Sequence, residues 1–174
     1  MKVYNGIKLN ESGTIYKGDS NWQKIIGQMQ AEMNKVGINN AELYHYIESV
    51  IPDDRDIEIY RHKPEENIYH SAADLSYDIG FRINDAGEGK VSPGGTYYSS
   101  SYINGKFIIR MRVDLDPDTY EIVKKHPIKI WAVTYHGGMS VYDSHVVYST
   151  ETIIDYVNGF FRSILPNNIK DFTY

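Results

Sequence analysis

Residues 96–115, TYYSSSYINGKFIIRMRVDL, contain the clearest local signal of the fold. Asn104-Gly105 stands between two runs of alternating side chains, and this dipeptide favours a type I′ turn because both of its residues adopt positive φ angles. The sequence therefore predicts a hairpin over residues 96–115 with its turn at 104–105. Beyond the turn, alternate apolar side chains would share one face of the second strand. They are Phe107, Ile109, Met111, Val113 and Leu115.

The opposite face of this hairpin is a candidate binding surface. A two-residue turn would pair Tyr97 with Arg112 and Tyr102 with Phe107, which puts Tyr97, Arg110 and Arg112 on one face. Arginine, tyrosine and hydroxyl groups together bind phosphates or carboxylates. We interpret this face as a docking surface for RNA or for an acidic groove of a protein. The alternative is an ordinary solvated sheet face.

The remainder of the chain mixes helical and strand-like segments. Helices are predicted from Ser20, which forms a capping box with Gln23, to Val36, and again over residues 40–50 and 150–165. Gly37 supplies the stop signal of the first helix. A short helix is expected to start at Asp116-Pro117.

Strand patterns fill most of the other segments. Strands are predicted over residues 56–62, 79–83, 127–136 and 139–148, with a hairpin over 2–17 that turns at 10–13, a helical or irregular segment over 64–77 and an exposed loop over 84–95. The strand over 127–136 is apolar enough to be covered on both faces. The pattern predicts an α+β fold, an antiparallel hairpin-built sheet with helices packed on one side, in a single domain spanning residues 1–174.

Composition limits the classes of function. The 174 residues carry a formal net charge of −5, whereas non-specific DNA or membrane-surface binding usually needs a basic face. The absence of cysteine from the sequence excludes disulfides and thiolate catalysis. MKVYNGIKLN lacks an apolar signal core, so we expect a cytoplasmic protein without membrane contact. Sixteen tyrosines are an unusual number, and tyrosine is enriched where proteins meet partners.

Motifs for cofactors and metals are incomplete. The loop over residues 87–92, GEGKVS, lacks the glycine spacing of a phosphate-binding loop. Asp114, Asp116 and Asp118 alternate like metal ligands, but Thr119 and Lys125 stand where a calcium loop needs glycine and an acid. Helix capping explains Asp116 and Asp118 without a metal. We therefore expect no cofactor and no bound metal.

The histidines offer one route to catalysis. The six histidines do not form the helical pairs that bind zinc. His136 or His145, together with a cation such as Arg110, could cleave RNA without a metal, since that reaction needs a base, an acid and a positive charge. Asp143 stands two residues before His145 and could orient its imidazole. This enzyme is the alternative to a pure binding protein.

The segment Ile130-Trp131-Ala132-Val133-Thr134-Tyr135-His136-Gly137-Gly138 resembles the "VWxMNYYG" strand and turn of an uncharacterised bacterial domain family. That family is found beside helix-turn-helix regulators. In the family a later helix ends in Leu-Val-Pro, and here Ile164-Leu165-Pro166 ends the last predicted helix. The family's Gly-Glu-Glu stretch before the strand is missing from this chain. The resemblance implies an α+β domain in a bacterium or its phages, and no catalytic residue is carried over.

The overall character is similar to that of phage anti-CRISPR proteins, which are small, acidic, single-domain and poor in motifs. This similarity implies a non-enzymatic inhibitor of a bacterial defence nuclease complex, such as a Cas9-type ribonucleoprotein, with RNA contact through the 96–115 hairpin. The third hypothesis is a small-molecule sensing domain, which predicts an apolar pocket lined by tyrosines. The expected binding residues are Tyr97, Lys106, Arg110, Arg112, Tyr135 and Tyr142.

Overall fold

A computed structural model of the chain describes residues 2–4, 7–9, 17, 19–85, 102–135 and 139–165. Its helices are α1 (Ser20–Lys35), α2 (Asn40–Ser49) and α3 (Thr150–Ile164). Its strands are β1 (Lys2–Tyr4), β2 (Ile7–Leu9), β3 (Ile57–Arg61), β4 (Glu65–Ile68), β5 (Ala72–Ile83), β6 (Ile103–Leu115), β7 (Ile122–Lys125), β8 (Lys129–Tyr135), β9 (Met139–Val141) and β10 (His145–Val146).

Eight of these strands form one antiparallel sheet. The strand order is β10-β8-β6-β5-β3, and β4, β7 and β9 pair with β5, β6 and β8 respectively. Strands β1 and β2 form a separate two-stranded sheet. All three helices contribute to one buried cluster with a single face of the large sheet. The predicted α+β fold, with an antiparallel sheet and helices on one side, is confirmed.

The helix face of the sheet, as we call the side covered by the helices, is built from alternate residues of the two long central strands. Phe81 of β5 and Phe107 of β6 meet Phe160 and Phe161 of α3, with ring centroids 4.9–5.9 Å apart. Edge-to-face aromatic packing of this kind adds to the burial of apolar area. The residues between them point to the opposite side, which we call the second face.

The predicted turn at Asn104-Gly105 is wrong, because both residues lie inside the continuous strand β6. Asn104 pairs with Arg82 and Gly105 with Phe81, within a ladder of β5 and β6 that runs from Ala72 to Ile83. Twelve residue pairs of this ladder outweigh the local preference of one dipeptide for a turn. The predicted pairs of Tyr97 with Arg112 and Tyr102 with Phe107 are replaced, since β6 pairs with β5 and β8.

The close approach of neighbouring atoms, and not a turn, explains why residue 105 is glycine. A Cβ atom at Gly105 would lie 2.4 Å from Cζ of Phe81 and 2.4 Å from the carbonyl oxygen of Val133. Glycine inside a strand commonly marks a site where another group comes this near. Gly105 therefore makes room for the aromatic cluster of the helix face.

Three other segments differ from the predictions. The helical or irregular segment expected over 64–77 is β4 and the first half of β5, because its apolar residues alternate with a period of two. Residues 2–9, expected as one strand, supply both β1 and β2, and the turn predicted at 10–13 lies outside the described residues. The strand expected over 139–148 is divided into β9 and β10.

Side-chain caps set the ends of several elements. Asp19, rather than Ser20, caps α1 by accepting a 2.8 Å hydrogen bond from the backbone N–H of Asn21. Gly37 ends α1 with a φ angle of 78°, as predicted. Asp116 accepts from the backbone N–H groups of Asp118 and Thr119, but it caps a turn into β7 and not a helix.

Candidate functional site

Four of the six expected binding residues lie on the second face. Lys106, Arg110 and Arg112 alternate along β6, and Tyr135 of β8 pairs with Asn104 in the same row. Tyr97 lies outside the described residues. Tyr142 lies on the helix face, where its ring packs edge-on against Phe160 at 4.9 Å.

A buried ion pair occupies the middle of the second face. Asp78 of β5 is 3% exposed. Its carboxylate accepts hydrogen bonds from Ser76 Oγ at 2.5 Å and from Lys106 Nζ at 3.2 Å. Burial disfavours the charged form of Lys106, but the negative charge of Asp78 and its hydrogen bond outweigh burial, so the pKa of Lys106 is raised. Lys106 is therefore first the counter-ion of Asp78, a role that sequence reasoning missed.

Arg110 lies over the indole ring of Trp131, with 5.1 Å between the guanidinium carbon and the ring centroid. Its Nε is buried and has no hydrogen-bond partner. Among the residues that the structure describes, no carboxylate lies within ion-pair distance of Arg110 or of the neighbouring Lys129. Arg112 is half-exposed and lies 3.8 Å from the carboxylate of Asp74. This end of the second face thus has cationic groups free to bind an anion.

Exposed apolar side chains gather at the other end of the second face. Met139 and Val141 of β9 pair with Tyr135 and Val133 of β8, so these four side chains share the face. Tyr135 is 48% exposed, Met139 66% and Val141 61%. We call Tyr135, Met139 and Val141 the β8–β9 patch. Along β8 it lies about 13–20 Å from Lys129, at the usual rise of a strand.

A cavity of about 430 Å³ opens between the buried ion pair and this patch. Its walls include Lys106 and Tyr135, which were expected, and His62, Glu65 and Asp78, which were not. The sequence signal for Asp78 was present, since a carboxylate stands within the largely buried strand AADLSYDIGFRI. A charged residue in such a run is buried only when it is paired.

Of the residues of the enzyme alternative, the structure describes His145 and Arg110, and these two do not come together. His145 of β10 pairs with Ile130 on the helix face and packs against Tyr156 of α3 at 5.1 Å. Arg110 points to the second face, on the other side of the sheet. His136 lies outside the described residues. The sheet therefore separates His145 from the arginine proposed to act with it.

Tyr156 connects α3 to strand β8 of the sheet through a hydrogen bond. Its hydroxyl oxygen accepts a 2.9 Å hydrogen bond from the backbone N–H of Ala132, and burial raises its pKa to about 12. Folded Tyr156 therefore stays protonated at pH values above about 10, where an unfolded tyrosine, with a pKa of about 10, loses its proton. This contribution to stability is complete below about pH 10 and is lost as the pH rises to about 12.

We expect the urea midpoint of the protein to fall between about pH 10 and about pH 12, and to fall less steeply in Tyr156→Phe. At pH 7 the variant should be less stable by about 1–2 kcal/mol, because the amide of Ala132 loses its acceptor. Urea titrations of both proteins at several pH values measure this difference. Parallel pH profiles would contradict the assignment, since every other titrating group is common to both proteins.

Groups of three or more metal-ligating side chains are absent from the described part of the chain. Within the same residues, no helix is long and apolar enough to cross a membrane. Comparison of the chain with family models, with curated proteins and with solved structures found no match. The resemblance of residues 130–138 to a bacterial domain family stays a prediction.

Proposed function

We propose that this protein is a non-enzymatic binding protein that docks onto a protein or ribonucleoprotein through its second face. The exposure of the β8–β9 patch carries the proposal, because Tyr135, Met139 and Val141 lie side by side on neighbouring strands. Interface cores are enriched in tyrosine, methionine, tryptophan and arginine. Trp131 and Arg110 continue the same face, so composition and position agree.

The charges of the second face favour a partner with anionic groups beside an apolar contact. Arg110 and Lys129 have no carboxylate partner among the described residues, and Arg112 is only loosely paired. Carboxylates of a protein or phosphates of a bound RNA would supply the missing counter-charges. Contact with RNA through the 103–115 part of the expected hairpin is thus retained as a proposal, on a strand and not on a turn.

The partner we propose is a bacterial defence nuclease complex of the Cas9 type, with the protein acting as an inhibitor from a phage or mobile element. The support is the protein's small size, its net charge of −5 and the mixed apolar and cationic second face. Adding the purified protein to a guide-loaded Cas9-type nuclease should reduce cleavage of target DNA. Unchanged cleavage by a panel of such nucleases would overturn this choice of partner.

Docking itself is tested with two matched variants. Tyr135→Ala combined with Met139→Ser removes the patch, whereas Tyr69→Ala combined with Val123→Ser removes similarly exposed apolar groups elsewhere. In affinity capture from bacterial lysate, with and without nuclease, the first variant should lose the captured partner by at least about tenfold, or about 1.4 kcal/mol. The second should retain it. Equal capture by both variants would refute docking through the patch.

A further inference from the structure

A second concave site lies on the opposite side of the sheet, between α3 and the segment that joins β9 to β10. The cleft has a volume of about 280 Å³, which suits a single side-chain-sized group better than a larger ligand. The residues that matter for its chemistry are Tyr142, Asp143, His145, Asp155, Tyr156 and Gly159.

The charges along this cleft are negative. Asp143 and Asp155 are exposed, and in the described residues neither carboxylate has an ion-pair partner. Lysine and arginine are missing from the described residues that line the cleft. Two uncompensated carboxylates at a concave site favour a cationic ligand.

Aromatic rings supply the rest of the wall. The phenol rings of Tyr142 and Tyr156 both line the cleft. Ammonium and guanidinium groups donate hydrogen bonds and also bind to aromatic faces.

Gly159 keeps the helical side of the cleft open. Asp155, Gly159 and Ser163 are four residues apart, so they form one row along α3 that borders the cleft. Glycine inside a helix costs about 0.5–1 kcal/mol relative to alanine. Neither a positive φ angle nor a close neighbour requires it here, because a Cβ atom at this position would have nothing within 4 Å. Gly27 of α1 has equally open surroundings but borders a different cleft, so it serves as a control.

We propose that this cleft binds one alkyl guanidinium or ammonium group, with Asp143 and Asp155 as counter-charges and the rings of Tyr142 and Tyr156 as its aromatic wall. The proposal is independent of docking through the second face, since none of these residues belongs to the β8–β9 patch. The ligand group could come from an arginine or lysine side chain of a polypeptide or from a free amine.

The test is an NMR titration of the labelled full-length chain with three probes. N-acetyl-arginine amide represents a polypeptide side chain, agmatine represents a free amine, and N-acetyl-citrulline amide is the neutral counterpart of the first. We expect amide shifts around residues 142–145 and 155–163 with a Kd of about 1 mM for a cationic probe. The neutral probe should bind at least about tenfold more weakly, a loss of about 1.4 kcal/mol. Tighter binding of one cationic probe identifies the source of the group.

Variants separate the cleft from the rest of the surface. Gly159→Met should abolish the shifts while keeping or raising the melting temperature, because methionine is a better helix former than glycine. Gly27→Met should raise stability in the same way and leave binding unchanged. Asp143→Asn with Asp155→Asn should weaken binding without filling the cleft. Equal binding of the neutral probe, unchanged binding by Gly159→Met, or no shifts up to about 10 mM would each overturn the proposal.

Discussion

Gly105→Ala should lower the free energy of unfolding by about 3 kcal/mol or more, which for a chain of this size is a fall in melting temperature of about 6–12 °C. The added methyl carbon would be placed 2.4 Å from Phe81 Cζ and 2.4 Å from the carbonyl oxygen of Val133. The phenyl ring is fully buried among other rings and the carbonyl belongs to the backbone of β8, so neither can move away freely. Urea and thermal unfolding of the purified variant measure the loss.

Asn104→Thr is the control that distinguishes a strand from a turn. In the strand Asn104 points to the half-buried second face, where a β-branched residue fits well, so we expect stability within about 0.5 kcal/mol of the original. In a type I′ turn the same residue would need a positive φ angle, which is costly for a β-branched side chain. Severe destabilisation by Asn104→Thr, or a neutral Gly105→Ala, would contradict the continuous strand β6.

The dipeptide Asn-Gly shows why the turn could not be predicted from local sequence. The same dipeptide occurs at residues 5 and 6, between β1 and β2, and at 104 and 105, inside β6. At the second position its preference for a turn competes with pairing to β5 on one side and to β8 on the other. Those partners lie far away in the chain, so no window around Asn104 contains the information.

The alternation of side chains along this strand, with a period of two, was predicted correctly from the sequence. Alternation along residues 106–115 places Lys106, Arg110 and Arg112 on one face whether or not the chain turns at 104. The residues that lie opposite each other on neighbouring strands could not be predicted from the sequence. Asp78 and Trp131 pair with the same residue of β6, Ile108, from opposite sides, and only the register brings each beside a cation. The ion pair of Asp78 with Lys106 and the cation–π contact of Arg110 were missed for that reason.

Lys106→Met should destabilise the protein by about 3 kcal/mol, although Lys106 was expected to be a binding residue. Methionine keeps the length of the side chain but removes the charge that lies 3.2 Å from the carboxylate of Asp78. The side chain of Asp78 is 4% exposed, so its charge would be left without a counter-ion and with little water. Leaving one member of a buried ion pair alone typically costs about 3–5 kcal/mol, and the partial exposure of Lys106 places the expected loss at the lower end.

The double variant Asp78→Asn with Lys106→Met provides the decisive comparison. Removing both charges also removes the uncompensated carboxylate, so the double variant should recover much of the stability lost in Lys106→Met. The coupling free energy from the cycle of the original protein, Asp78→Asn, Lys106→Met and the double variant should be about 1–3 kcal/mol. The raised pKa of Lys106 adds a pH signature: its contribution is complete below about pH 10.4 and is lost as the pH rises through the folded-state pKa. The difference in free energy of unfolding between the original protein and Lys106→Met should therefore become smaller as the pH rises. Additive losses in the double variant, together with a difference that does not change with pH, would show that Lys106 is free to bind a partner and is not paired with Asp78.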